Sequence, residues 1–351
     1  MRRQSELHDA LSSGGRTRVV ALLWDGADIE GHNSQGWTPL MAASLHGQVD
    51  LARLLLDHGA NLHAVNAEGK SAIHYAAMRG GAEAVRLLVR LGAGVNAADT
   101  FGGYTPLHLA AAHCNREIVQ ETCAALLAAG ADVDARSKWG TTALWSAASA
   151  GRGELVDFLL RHGAELETRD QEGRTVLIFV AKLGPIGDMV GRLLAHGADV
   201  DAQDDAGRTA LMYAALSARR PVIDALLDGG ADINRQDVRG VTPLMYAAGE
   251  SPKGSEIGML GRELSTTPDG ENATNWDAQK KAARLAKAYH ARAEVIRRLL
   301  GRGADPKMRD DDGRTALDVS RANGDVIGHA NAEVVDALSS ELARQKDARE
   351  R

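Results

Sequence analysis

Histidine, threonine and tyrosine fall within six residues in the stretch Gly103–Ala111, GYTPLHLAA. A histidine beside a hydroxyl is the minimum for general-base activation of a nucleophile. Cys114 and Cys123 follow closely, and thiols can act as nucleophiles, redox partners or metal ligands. Clustered acids at Asp204-Asp205 and Asp310-Asp311-Asp312 could serve as acid–base pairs. A catalytic cluster has no reason to recur along a chain, so recurrence separates chemistry from architecture.

The stretch recurs. GWTPLMAAS begins at Gly36, GKSAIHYAA at Gly69, GTTALWSAA at Gly140, GRTVLIFVA at Gly173, GRTALMYAA at Gly207, GVTPLMYAA at Gly240 and GRTALDVSR at Gly313. The successive spacings are 33, 34, 37, 33, 34, 33 and 73 residues. A Gly-Ala pair keeps step at Gly26, Gly59, Gly92, Gly130, Gly163, Gly197, Gly230 and Gly303. Its last interval is also 73 residues, so about 40 residues are inserted within one unit. The histidine position is His74 and His108 in two units but Met41, Trp145, Ile178, Met212, Met245 and Asp318 in the others. Catalytic groups do not interchange with methionine and isoleucine, so both histidines read as structural, as do His58, His162 and His196 before the Gly-Ala marker. The clustered acids recur at a turn position, where Asp bonds its own nearby backbone.

Each unit carries the signals of two short helices. Thr38, Ser71, Thr105, Thr142, Thr175, Thr209, Thr242 and Thr315 suit an N-cap. Pro39, Pro106 and Pro243 suit the first helical turn, which needs no N–H. Small residues such as Ala110 and Ala111 let neighbouring helices approach. A leucine-rich helix follows, as in Val49–Leu56, and stops at the Gly of Gly-Ala, which suits a left-handed cap.

The T-P-L-H-x-A pattern at this period resembles the ankyrin-repeat family. The resemblance implies an all-α solenoid of stacked helix pairs, each with a projecting β-turn finger, and partners bound on the fingers and first helices. The expected organisation is one domain over 1–345 with an N-terminal cap at 5–32. Seven repeats follow, near 33–65, 66–98, 99–136, 137–169, 170–203, 204–236 and 237–309. A C-terminal cap spans 310–345 and a charged tail 346–351.

Departures from regularity are where function could reside. The third repeat is five residues longer than 33, one being Gly102 and four lying before Gly130. Four residues are about one helical turn, which predicts a second helix one turn longer. The insertion, 250–290, begins as Gly/Pro/Ser-rich loop. It then changes to an amphipathic stripe of Ala282, Leu285, Tyr289, Ala293, Ile296 and Leu300. Thr274 and Asp277 resemble a capping box, which predicts a helix from about Trp276. Over 276–302 eight Lys/Arg face two acids, and Lys280, Lys281, Arg284 and Lys287 are candidate docking residues for an acidic partner. Only 13 aromatic residues exist, yet Trp37, Phe101, Tyr104 and Trp139 fall in fingers and Trp145 on a first helix. Turns do not need such rings, and exposed Trp and Tyr anchor interfaces, so these five are candidate partner-binding residues. Tyr75, Tyr213 and Tyr246 share a helix position that suits packing between repeats.

Composition narrows the function. A net charge of −6 gives no global attraction to nucleic acid or anionic membranes. No apolar window of spanning length occurs, and the N-terminus lacks the apolar core of a secretory signal, so a cytoplasmic location is expected and the Asn272-Ala273-Thr274 acceptor reads as chance. Cys114 and Cys123 match no zinc spacing and read as reduced, packed thiols. There is no P-loop, dinucleotide fingerprint, HExxH or nucleophile elbow. The expectation is a monomeric, non-enzymatic protein-binding scaffold with no cofactor, metal or small-molecule substrate. Alternatives are a regulatory or inhibitory enzyme subunit acting through 250–290, or a binder of acidic protein, nucleic acid or membrane through 276–302.

Overall fold

The computed structural model describes residues 2–13, 15–183, 188–249, 275–327 and 332–350, with side chains described except at 2–5, 80, 275–286, 323–327 and 349–350. The described residues form eighteen α-helices, one π-helical turn and no strand. They divide into two compact units, Met1–Gln171 and Glu172–Arg351.

The first unit holds five helix pairs. These are α1 Arg2–Ser12 with α2 Arg16–Trp24, α3 Pro39–Leu45 with α4 Val49–Asp57, and α5 Ala72–Tyr75 with α6 Gly81–Arg90. The last two are α7 Pro106–His113 with α8 Val119–Ala128, and α9 Ala143–Ser149 with α10 Gly153–Arg161. The π-helical turn Ala76–Gly80 joins α5 to α6. The second unit holds four pairs. They are α11 Val176–Leu183 with α12 Met189–Ala195, α13 Ala210–Leu216 with α14 Arg220–Asp228, α15 Pro243–Ala248 with α16 Asn275–Gly301, and α17 Ala316–Ile327 with α18 Ala332–Glu350. Within each unit, first helices pack on the first helices of the next pair and second helices on second helices. This is the nearest-neighbour stacking that the resemblance implies. The N-terminal segment, expected as a cap, is itself a full helix pair, and α18 runs on to Glu350 through the residues read as a charged tail.

Small residues make the stacking possible. Ala42, Ala43, Ala76, Ala77, Ala110, Ala111, Ala147 and Ala148 are nearly or fully buried, as are Ala214, Ala215, Ala247 and Ala248 in the second unit. The leucine-rich second helices end as expected. After α4, Ala60 N donates to Leu55 O and Gly59 N to Leu56 O, both at 3.0 Å, with Gly59 at φ 92°. Those are the two bonds of a Schellman cap.

The Thr38 N-cap explains why the histidine position tolerates such varied residues. Thr38 Oγ1 accepts from Met41 N while Met41 Sδ accepts from Thr38 N. His74 Nδ1 accepts from Ser71 N at 3.1 Å, and His108 Nδ1 from Thr105 N at 3.3 Å. Asp318 Oδ2 accepts from Thr315 N at 2.9 Å. In these repeats the position supplies an acceptor that closes a capping box, which methionine, histidine and aspartate can all do.

Two expectations about irregular segments are corrected. The four extra residues of the third repeat do not lengthen its second helix by a turn. Relative to α3, α4 and their three-residue link, α7 and α8 each gain one residue and the link Cys114–Ile118 gains two. Asn115 Oδ1 accepts from Glu117 N and Thr122 Oγ1 donates to Ile118 O, so the link is satisfied locally and extra helix is not needed. In α16, Tyr289, Ala293 and Ile296 are buried as the stripe predicts, but Leu300 is half-buried. Arg292, Val295 and Leu299 are buried instead. The helix packs against both α15 and α18, which widens its buried face beyond a single stripe. α16 starts at Asn275 and spans 27 residues, about 40 Å at 1.5 Å per residue. The loop expected over 250–274, with Thr274 of the proposed capping box and the Asn272-Ala273-Thr274 acceptor, lies outside the described residues.

Candidate functional site

The fingers are built from one turn repeated. Asn33 Oδ1 accepts from Gln35 N and Trp37 N, Asn66 Oδ1 from Glu68 N and Lys70 N, and Asp204 Oδ1 from Ala206 N and Arg208 N. Asp237 and Asp310 do the same, and Ser137 Oγ substitutes in the fourth repeat. The recurring acids are therefore turn formers. From the second finger onward, neighbouring fingers are joined by one backbone bond. Thr100 N donates to Glu68 O, Lys138 N to Gly102 O and Gln171 N to Trp139 O in the first unit. In the second, Asp205 N donates to Glu172 O, Val238 N to Ala206 O and Asp311 N to Arg239 O.

The third finger departs from this rule. Asp99 Oδ1 accepts from Gly102 N and Tyr104 N, one residue further along than elsewhere. The turn closes around an extra residue, and Phe101 is pushed out to 69% exposure. Gly102 lies beneath the rings of its neighbours, where a Cβ would come within 2.5 Å of Trp139 Cζ3 and 2.6 Å of Tyr104 Cε2. The Phe101 and Trp139 rings meet edge-on at 6.3 Å, and Tyr104 lies 5.4 Å from Trp139. Trp139 remains 42% exposed. Three of the five candidate aromatic residues thus form one patch across two adjacent fingers.

The other two lie elsewhere. Trp37 is half-buried, its ring 5.1 Å from that of Tyr75 in a cluster with Met41, Leu45 and Met78. Trp145, placed by sequence among the partner-binding residues, is 2% exposed and belongs to the core. Its indole N–H donates to Thr168 Oγ1 at 3.1 Å, the same reach of 23 residues by which His74 Nε2 meets Ala97 O. An indole cannot accept, so no capping box closes here and Thr142 Oγ1 is buried without a partner. Tyr75, Tyr213 and Tyr246 are buried, as expected of packing residues. Their hydroxyls bond the turn formers Asn66, Asp204 and Asp237. Sequence reasoning passed over Trp24, which is 81% exposed at the end of α2, and Lys138, beside Trp139, whose Nζ donates to Thr100 O. A charged residue next to a finger tryptophan was the available signal for Lys138.

The groups that could have done chemistry are otherwise engaged. Burial lowers the His74 and His108 pKa values. With Nδ1 accepting from the cap, Nε2 carries the proton and donates to Ala97 O or Thr141 O at 3.0 Å. Cys114 and Cys123 are buried and unpaired. Burial raises both thiols, Cys123 to about 12, so neither supplies thiolate at neutral pH. Among the described residues no group of three potential metal ligands occurs, and no helix is long and apolar enough to cross a membrane.

On α16, Lys287 and Arg297 are exposed. The side chains of Lys280, Lys281 and Arg284 lie outside those described. Arg298 Nε is 2.7 Å from Asp224 Oδ1 and Arg302 is 2.6 Å from Asp228, while Glu294 of α16 meets Arg220 at 3.0 Å. Much of the basic face described is thus spent on the acids of α14.

A family model for ankyrin repeats matches residues 3–66, 60–136, 119–204 and 177–257, which together make up more than half of the chain. The chain is also similar to the E3 ubiquitin-protein ligase XBAT33 of Arabidopsis thaliana, at 44% identity over 87 residues. That match covers 24% of this chain and 16% of the relative, so the two share a segment only.

Proposed function

Because the chain belongs to the ankyrin-repeat family, we propose that it is a non-catalytic scaffold that binds a partner protein on its fingers, with the Phe101–Tyr104–Trp139 patch as the anchor. The observation that carries this reading is the outward Phe101. The one-residue expansion of the third finger exposes a large apolar ring that the turn itself does not require, and exposed aromatic residues in a polar surround are the usual hot spots of interfaces. The patch is pre-organised, because Gly102 fits beneath the rings and the backbone bond from Lys138 N to Gly102 O fixes one finger on the next. Little ordering entropy is then lost on binding.

The basic helix has less support as the principal surface, since Arg298 and Arg302 are already paired on α14. The unpaired, buried thiols fit a reducing, cytoplasmic setting. The ligase activity in the relative's name is not carried over, because the match spans 16% of that protein.

Affinity capture from source lysate tests the proposal, comparing the full chain with a Phe101→Ala/Trp139→Ala variant of unchanged circular dichroism. Proteins enriched by the parent should be depleted about tenfold or more on the variant, as expected for loss of hot-spot anchors. Equal capture of every partner would remove the patch from the mechanism.

A further inference from the structure

We infer that the aromatic patch is built for an acidic peptide segment carrying a bulky apolar side chain, so that the partner presents Asp or Glu beside a Leu, Phe or Trp. This rests on the proposed scaffold reading and adds the partner's chemistry to it.

The apolar half of the recognition is the ring cluster. Phe101 and Trp139 offer exposed faces, and Gly102 leaves the floor between Tyr104 and Trp139 clear of any side chain. The charged half comes from the residues around it. Lys138 is exposed and its ammonium is held by Thr100 O; Arg136 on the same finger reaches Arg169 O. A carbonyl satisfies an N–H without cancelling the charge, so both cations keep their net positive field. The acids nearby are less open to a partner than these two exposed cations. Glu68 is held by Lys70 at 2.7 Å, and Asp99 and Asp170 are buried, with Asp99 forming the finger turn.

The patch is therefore an apolar centre with an exposed cationic border, Lys138 and Arg136, inside a protein whose net charge is −6. Such a border selects carboxylates and disfavours a basic partner through unpaired like charges.

Selection of a random displayed-peptide library on the full-length protein tests this. The expected outcome is enrichment of net-negative peptides with at least one large apolar residue. Enrichment should be lost on Phe101→Ala/Trp139→Ala. A synthetic peptide from the selection should bind about fivefold or more weakly to Lys138→Glu, and more weakly as salt rises. Basic or neutral winners, enrichment indifferent to the ring substitutions, or no enrichment at all would overturn the inference. If lysate partners are lost from the ring variant while the library returns basic peptides, the scaffold reading stands and only the acidic preference fails.

Discussion

His74 and His108 show how one side chain can serve two repeats. Each ring accepts from its own helix cap through Nδ1 and donates through Nε2 to a later carbonyl, Ala97 O or Thr141 O. That pattern needs a neutral imidazole, and burial holds both pKa values below the ordinary 6.5. In the unfolded chain the rings protonate near 6.5, so between that value and the depressed folded values the unfolded state binds more protons. Stability should be level above about pH 7.5 and decline as pH falls through 6.5, flattening once the folded rings titrate. The double variant His74→Met/His108→Met keeps a cap acceptor, as Met41 does, and should shed most of that acid sensitivity. Urea midpoints between pH 5 and 8 would show it; an undiminished slope would assign the sensitivity elsewhere. Asp99 makes a second residue-level case. Asp204 and Asp237 receive a tyrosine hydroxyl at 2.8 and 2.7 Å, but Leu109 occupies the equivalent position and leaves Asp99 Oδ2 buried without a hydrogen bond, 3.9 Å from Lys70. Leu109→Tyr should supply the missing donor and stabilise the protein by about 1 kcal/mol, read as a rise in denaturation midpoint. An unchanged or lowered midpoint would mean that the hydroxyl does not reach.

At the scale of helices and links, a single alanine marks a local conflict. The turn between α13 and α14 places Ala218 at φ 52°, where the corresponding links have Gly47 at 65° and Gly151 at 68°. A side chain in the left-handed region costs about 1–2 kcal/mol, part of which glycine gives back through greater freedom when unfolded. Ala218→Gly should therefore stabilise by about 0.5–1 kcal/mol, measured by chemical denaturation; a loss would show that the neighbouring contacts of Ala218 outweigh its backbone strain. These elements also show what the sequence could convey. Period and punctuation were legible: the threonine caps, the Gly-Ala stops and the helix beginning near Trp276 follow from local chemistry that each residue carries with it. Burial at Trp145 was not, because the repeat pattern gives a position without saying whether the residue there must accept a hydrogen bond. The third repeat was misjudged for a related reason. A four-residue surplus fits one helical turn, but Asn115 could cap a longer link instead, and only packing decides between them. The patch was half legible. Its aromatic types stood out, whereas the meeting of Phe101, Tyr104 and Trp139 depends on two fingers touching and on Gly102 lying under the rings.

Across the second unit, the inserted residues leave the repeat rule intact. Gln203 Nε2 bonds Gln236 O across 33 residues of chain, and Gln236 Nε2 bonds Arg309 O across 73, both at 3.0 Å. The same holds at the helix ends, where Asp232 N donates to Asp201 Oδ1 and Asp305 N to Asn234 Oδ1. The 40 additional residues therefore enter and leave without displacing the neighbouring finger. In a stack whose stability is close to a sum of adjacent contacts, residues that made none of those contacts would add mainly the entropy of closing a longer connection, and that cost grows slowly with length. Deleting residues 251–274 and joining Glu250 to Asn275 through a short Gly-Ser link should leave the denaturation midpoint close to that of the full chain, within about 1 kcal/mol. The far-ultraviolet helical signal should keep the contribution of α16. A collapse of the second unit's cooperative transition would show instead that the deleted residues supply contacts the stack requires. With the fold retained, capture of a partner by the deletion variant would then separate binding through the finger patch from any role of the insertion.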